Sequence, residues 1–541
     1  MKVRCYLKLL LRFCILLCLV LSTACVSSRQ WNSYVDKPNE TDVILPSSNA
    51  LQFPALPKDA TLQEPLVTDL SELSVEKAVI LALQNNRDLQ IQQQEPVIAG
   101  TFEQIERGLF DPEWFAEVDY FKERTEETSR SNSTNLDVKT DEVVAITGLR
   151  QLFPTGTSIE ASLSQVRSNS NQETEQQQSR VGLSVTQSLL RGFGPAVNLV
   201  NIRQAEIDTL ASIDELRGFS EALLADTEIA YWNYVLAKEK ITIFEKSLAV
   251  ARKQREEVEL RIEVGLLPKI EAAATRAEEA LRVQDLINAR SLLEERRLRL
   301  LQRLNPNPDG QLDQRINVVS DPHLSPQPIT DLSERLQLAE QSRADLHEAR
   351  LRLQQRRLET IATRNGLLPR LDFFIALGKT GFDDSVAESF RAMDGKTYDF
   401  SAGLRLNYLL GNREARALNL ASHISRQQAL DAIANLRQII HLDVHLAVNE
   451  VERNRQQIDA SRASRVFQEQ TLAAEKERFD VGTSTTLLVA QAQRDLLQTQ
   501  ISEIEAVVNY RIALVKLYLA EGSLLGRRGV QVFQENLAKI D

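Results

Sequence analysis

The chain has four cysteines in 541 residues, Cys5, Cys14, Cys18 and Cys25, and none after residue 25. A disulfide framework or a cysteine metal site in the body is excluded. Beyond the first 25 residues there is no run of about 20 apolar residues, so no helix can span a bilayer. Any crossing of a membrane must be made by strands. Aromatics are 6% of the chain, the net charge is −11, and no basic patch with interleaved aromatics occurs, which argues against a nucleic-acid partner. Gly192-Phe193-Gly194 lacks the Lys-Ser/Thr or third glycine of a phosphate loop and reads as a turn. His441 and His445 share one helical face but have no third ligand at suitable spacing, so no metal and no cofactor is expected. No nucleophile and base arrangement is readable, so an enzyme is not expected.

Glycine and proline are also missing from two very long stretches. From about Arg413 to Val481 there is neither, and from Pro195 to Val264 only Gly218 follows the opening proline. Nothing forces a break across about 68 residues, roughly 100 Å of helix. In the first stretch Leu223, Thr227, Ala230, Tyr234, Ala237, Ile241, Phe244, Leu248, Ala251, Arg255, Val258 and Ile262 step by fours and threes, a heptad seam that Arg255 interrupts. The second seam is less clean: Val444, Ala447, Val451 and Ile458 lead to Ser461 and Arg465. Each long helix needs neighbours along its whole length.

What is present is a duplication. Arg261-Ile262-Glu263-Val264-Gly265 returns as Arg478-Phe479-Asp480-Val481-Gly482, and Asp226-Thr227-Glu228-Ile229-Ala230 as Asp443-Val444-His445-Leu446-Ala447, at the same offset. A unit this long is far above the period of a solenoid module. Each copy opens with an amphipathic helix, Ser74 to about Gly108 and Asp331 to about Gly366, in which Ala82 to Leu89 aligns with Ala339 to Leu346. Strand-like alternation follows a Gly and Pro break, as in Glu113 to Phe121, Val181 to Leu190 and Asp399 to Tyr408. Return helices are expected over about Lys269 to Leu304 and Thr485 to Leu519. The organisation is then a signal peptide (1–24), an extension after Cys25 (25–73), a first repeat (74–304), a linker (305–330), a second repeat (331–525) and a tail (526–541).

The leader has Lys2, Arg4, Lys8 and Arg12 before an apolar run and ends at Ser22-Thr23-Ala24-Cys25. Cys25 is therefore the candidate lipid anchor. Ser22 stands where a lipobox usually has leucine, and the alternative is ordinary cleavage leaving a free thiol. Two well-patterned strands per copy make four per chain, too few to close a membrane barrel alone. An open edge in lipid leaves backbone groups unpaired, so several chains must share one barrel, and three give twelve strands. Two further stretches, Val143 to Leu152 and Thr157 to Val166, form either a surface hairpin or additional barrel strands.

On these features residues 70 to 525 resemble the TolC-type outer membrane efflux proteins. The resemblance rests on the duplicated plan, the Gln187-Ser188-Leu189-Leu190-Arg191-Gly192-Phe193-Gly194 junction and the Val-Gly-Leu and Val-Gly-Thr turns. It implies a mainly α fold with a transmembrane β-barrel, twelve-stranded or larger, above a long α-helical periplasmic tube. It also implies a homotrimer in the outer membrane lipid that serves as the duct of a tripartite efflux pump or type I secretion system. A periplasmic adaptor would dock at tips formed by Val264, Gly265, Leu266, Val481, Gly482 and Thr483, linking the duct indirectly to an inner membrane transporter. Family members narrow the entrance with acids six and nine residues after the tip glycine; here those positions hold Glu271 and Ala274 in one copy, Leu488 and Gln491 in the other. Glu271, Phe479, Leu488 and Gln491 are the candidate constriction. The competing reading is a non-conducting periplasmic scaffold or adaptor.

Overall fold

In the computed structural model, residues 70, 72–128, 135–171, 174–305 and 312–530 are described. The leader, Cys25 and the end of the tail lie outside them. The first copy begins with α1 (Val75–Asn85), α2 (Arg87–Gln92) and α3 (Glu95–Arg107), then β1 (Glu113–Thr128), β2 (Asn135–Leu152), β3 (Thr157–Ser170) and β4 (Gln176–Ser188). A short α4 (Pro195–Asn198) leads into α5 (Val200–Glu263), which returns as α6 (Glu271–Leu304). The second copy has α7 (Leu332–Ser342), α8 (Ala344–Gly366), β5 (Arg370–Asp383), α9 (Val386–Arg391), β6 (Tyr398–Asn407), α10 (Arg413–Asp480), α11 (Thr486–Ala520) and α12 (Leu524–Arg527). No helix among the described residues is long and apolar enough to cross a membrane.

The opening helices are broken where the pattern led us to expect one continuous helix. Asn86 and Arg343 hold extended backbone, φ −67° ψ 121° and φ −68° ψ 124°, at aligned positions of the two copies. The Asn86 side chain accepts the Leu89 N–H at 3.1 Å, capping α2, and donates to the Arg303 carbonyl at 3.2 Å. Arg343 instead pairs with Asp345 at 2.6 Å and Asp443 at 3.0 Å. Apolar period is continuous through both breaks; a side-chain cap decides the first and an ion pair the second.

All six strands form one sheet in the order β1 to β6, every neighbour antiparallel. The count of two strands per copy is thus corrected for the first copy, which has four, because Val143 to Leu152 and Thr157 to Val166 lie within β2 and β3 of the sheet. Continuous pairing, from Leu152 with Ser158 out to Thr140 with Ser170, settles the alternative of a separate surface hairpin. β1 and β6 are the sheet's two edges.

α5 packs antiparallel on α6, and α10 on α11, with α5 also against α8 and α11. Of the expected α5 seam, Leu223, Thr227, Tyr234, Ala237, Leu248, Ala251 and Val258 are buried, and Arg255 reaches Glu279 at 2.8 Å. Val444, Val451, Ile458 and Ser461 of α10 are buried too, so the weaker seam holds. Between 216 and 237, α5 is buried on more than one face, with Tyr231 and Trp232 in the largest core beside Leu300, Leu301 and Leu304. The inter-repeat segment provides the extra cover. Leu73 bridges Val318, Tyr231 Oη donates to the Leu73 carbonyl at 2.9 Å, and Tyr234 Oη to that of Ile316 at 3.1 Å.

Candidate functional site

Alternation assigns the sheet two faces of opposite character. One register row runs Trp114, Leu149, Ala161, Leu183, Leu377 and Phe400 across all six strands. Its large members are well exposed, Trp114 at 69% and Phe400 at 62%. Rows on either side add Val118 and Tyr120, Val185 and Ile375, Leu404 and Tyr398. α9 covers only one end of this face, where Ser389 meets Ser179 at 2.6 Å and lies against Gly381; the row itself stays open. A continuous exposed apolar band on a sheet with alternating polar residues behind it is the pattern of a lipid-facing barrel wall.

The next row, on the opposite face, reads Phe115, Gly148, Ser162, Gly182, Gly378 and Asp399. A Cβ at Gly148 would come within 2.8 Å of the Phe115 ring, and one at Gly403 within 3.0 Å of Phe374. The tip of each ring therefore takes the space that a side chain on the glycine opposite would fill, with Arg150 at 5.6 Å over Phe115 and Arg405 at 5.4 Å over Phe374. Likewise Arg180 reaches Asp399 at 2.7 Å across the bare Gly378. The repeated Gly148-Leu149-Arg150 and Gly403-Leu404-Arg405 triplets are the sequence signal for this device, and pattern reading alone passed over them.

Sheet meets helices at a glycine junction. Gly156, Gly192 and Gly194 have φ of 81°, 83° and 90°, and the Asn198 amide donates to the carbonyls of Pro154 and Gly192 at 2.9 Å each. The Asn365 side chain accepts the Gly192 N–H at 2.8 Å, so the second copy holds the first copy's turn. Only glycine adopts such φ values without strain. The expected Gln187 to Gly194 junction lies here.

At the far end of the helices, Gly265 and Gly482 both have φ 78°, and a Cβ on either would meet nothing within 4 Å. The two turns close alike: Leu266 N–H donates to Arg261 O at 2.7 Å, and Thr483 N–H to Arg478 O at 2.8 Å. These are left-handed helix ends of the Schellman type. Val264, Leu266, Ile270 and Val481 are each more than 60% exposed. The two hairpin ends are joined by Arg261 to Asp480 at 2.6 Å, with the Arg261 guanidinium 5.0 Å over Phe479.

The four candidate constriction residues are in different surroundings. Glu271 accepts a hydrogen bond from the Thr486 hydroxyl, and Phe479 packs against the cluster of Leu472, Val489 and Ala492 and lies under Arg261 of the other hairpin. Both are engaged between hairpins. Leu488 and Gln491 are exposed on the first turns of α11. His441 Nε2 lies 2.7 Å from Glu340 on α7, and no group of three potential ligands sits together among the described residues.

Two buried carboxylates on α5 mark where the chain's C-terminal end docks. Glu228, fully buried, is held by both nitrogens of Arg528 at 2.6 and 2.5 Å; even so, burial pushes its pKa up. Seven residues earlier, Glu221 is buried with Oε1 unpartnered, and burial pushes its pKa up to about 7 against the pull of Arg217, the Leu525 N–H and Arg343. The sequence offered no pairing signal for either, since Arg528 is 300 residues from Glu228.

Residues 335–523 match the outer membrane efflux protein family. A curated relative, the outer membrane efflux protein BepC of Brucella suis, is 22% identical over 355 residues, 65% of this chain and 74% of the relative. The Campylobacter jejuni CmeC outer membrane channel shares the fold at TM-score 0.61 and 16% identity, covering 83% of this chain and 86% of that one. The open Neisseria gonorrhoeae MtrE channel aligns at TM-score 0.58 and 18% identity, over 83% and 89% of the two chains. With the lipid-type band on its sheet, the glycine junction and the paired hairpin tips, the chain shares the fold of solved outer membrane channels, and its second copy matches the outer membrane efflux protein family.

Proposed function

We propose that three copies of the chain close one transmembrane barrel and one helical tube, forming the outer membrane duct of a tripartite efflux pump or type I secretion system. The observation that carries this reading is the exposed apolar band running without interruption over all six strands to two edges, β1 and β6. Six strands are too few for a membrane barrel, and an unpaired edge in hydrocarbon costs several kcal/mol per backbone group. β1 and β6 run in opposite directions, so copies related by rotation can join edge to edge in the antiparallel sense. A non-conducting periplasmic scaffold would have no use for the band.

The adaptor docks at the tips around Val264, Gly265, Leu266, Val481, Gly482 and Thr483. Support comes from their apolar exposure and from two matching turns that present unencumbered backbone. Leu488 and Gln491 line the entrance, while Glu271 and Phe479 act by holding the hairpins together. The test separates docking from folding. Val264→Glu with Val481→Glu changes exposed side chains without touching the positive-φ glycines; export and adaptor cross-linking should be lost with outer membrane trimer yield unchanged. Export at the parent level would sink the tip assignment.

A further inference from the structure

The side of the sheet turned to lipid rather than to the bore does not stay apolar over its whole height. Going away from the helices, the outward positions of β3, β4 and β5 change from Leu163, Val181 and Leu377 to Gln165, Ser179 and Lys379. Gln165 accepts from the Ser179 hydroxyl and donates to Gln177 Oε1 at 3.1 Å, a patch of amide and hydroxyl groups that hydrocarbon does not solvate. α9 lies on this patch. Its Ser389 Oγ meets Ser179 Oγ at 2.6 Å, and a Cβ on Gly381 would run into the Ser389 carbonyl, so the helix sits directly on the strand. Ser179, Gln177 and Ser389 are buried in consequence. At about 100° per residue, with Ser389 against the sheet, one flank of α9 carries Val386 and Phe390 and the other Glu388; all three are exposed.

Membrane barrels carry aromatic girdles at both water boundaries. Here Trp114 and Phe373 stand at the helix-side boundary, and Tyr120 and Tyr398 at the far one, on the edge strands β1 and β6. The outward positions of β2 to β5 supply no aromatic at the far boundary. α9, packed on β4 and β5, brings Phe390 there. Gly381 stands about 34 Å along β5 from Leu371 at about 3.4 Å per residue, about 26 Å of height at a tilt of about 40°, which is the top of a band about 25 Å tall. Resting on the channel reading above, we infer that α9 is an interfacial anchor that seals the polar patch and inserts Phe390 and Val386 into the outer leaflet, where headgroups meet acyl chains. The occupant of this surface is lipid, because the exposed flank continues the apolar band of the sheet. Lys379, Arg391 and Lys396 are outnumbered by the acids between residues 383 and 394, so no excess of positive charge is present to hold a phosphate.

The test uses the full-length protein in vesicles of phosphatidylethanolamine and phosphatidylglycerol, with introduced cysteines carrying a fluorophore and the labelled parent, which keeps Cys25, as background. Lipid brominated at the headgroup end of its acyl chains should remove most of the emission of Phe390→Cys, and iodide in the water should not. Glu388→Cys, on the opposite flank, should show the reverse. Iodide quenching at both positions would put α9 in water and overturn the inference. Protection of Phe390→Cys from both quenchers would put it against protein, and bromine quenching at both positions would bury the helix whole in lipid; either result contradicts the anchor. Ala161→Cys, on the apolar row, reads the channel reading separately: lipid brominated at mid-chain should quench it, and free access of iodide there would overturn the membrane wall itself.

Discussion

At the scale of single residues, the helical part is held by buried charges that composition does not reveal. Removing one partner of a fully buried pair costs about 3–5 kcal/mol; here Glu228 is fully buried but the Arg528 side chain is 32% exposed, so the cost falls below that range. Arg528→Ala should therefore strand Glu228 and lower the thermal transition of the purified protein, whereas replacing both by a Gln and Met pair should recover much of it. Glu221 carries a pH signature. Its folded pKa of about 7 lies above its ordinary 4.5, so between these values the unfolded chain gives up its proton first and stability falls as pH rises. The deficit is absent below about pH 4.5 and complete above about pH 7, amounting to roughly 3 kcal/mol. Glu221→Gln should raise the transition at pH 8 and leave it unchanged near pH 4.5. Equal shifts at both pH values would contradict the assignment.

At the scale of elements, what was legible depended on whether the deciding interaction is local in sequence. The long helices, their returns and the tip glycines follow from period and from the absence of Gly and Pro, and α10 ends at Asp480, one residue before the expected limit. The breaks at Asn86 and Arg343 did not follow, because apolar period runs through them and a cap or an ion pair decides the backbone. β2 and β3 were ambiguous for a related reason. Their polar face carries Val144, Ile146 and Val166 as well as Glu160 and Ser164, which blurs the period of two until pairing with β1 and β4 fixes the register. The tips give an element-scale expectation. Gly265→Val and Gly482→Val each force a β-branched residue to φ 78°, costing at least about 1 kcal/mol at the turn. Export should fall sharply, while Gly366→Ala, at a helix end with no positive φ, should be tolerated by the same export assay.

At the scale of the whole molecule, the duplicated plan was readable from sequence, and the strand number was not. The two copies are unequal in the sheet, four strands against two, yet alike in their long helices, one hairpin each. The extra hairpin therefore widens the sheet without adding to the long helices. Closure between chains is the central claim, and one measurement tests it most directly. Asp119→Cys on β1 and Ser401→Cys on β6 both lie on the bore face, five strands apart within one chain, about 24 Å at the usual strand spacing. A bis-maleimide spanning about 10 Å cannot join them in one chain but can do so across the β1 and β6 edges of neighbouring copies. Applied to outer membranes carrying the double variant, it should yield covalently linked chains up to three and no further; no cross-link, or a ladder running beyond three, would contradict the account.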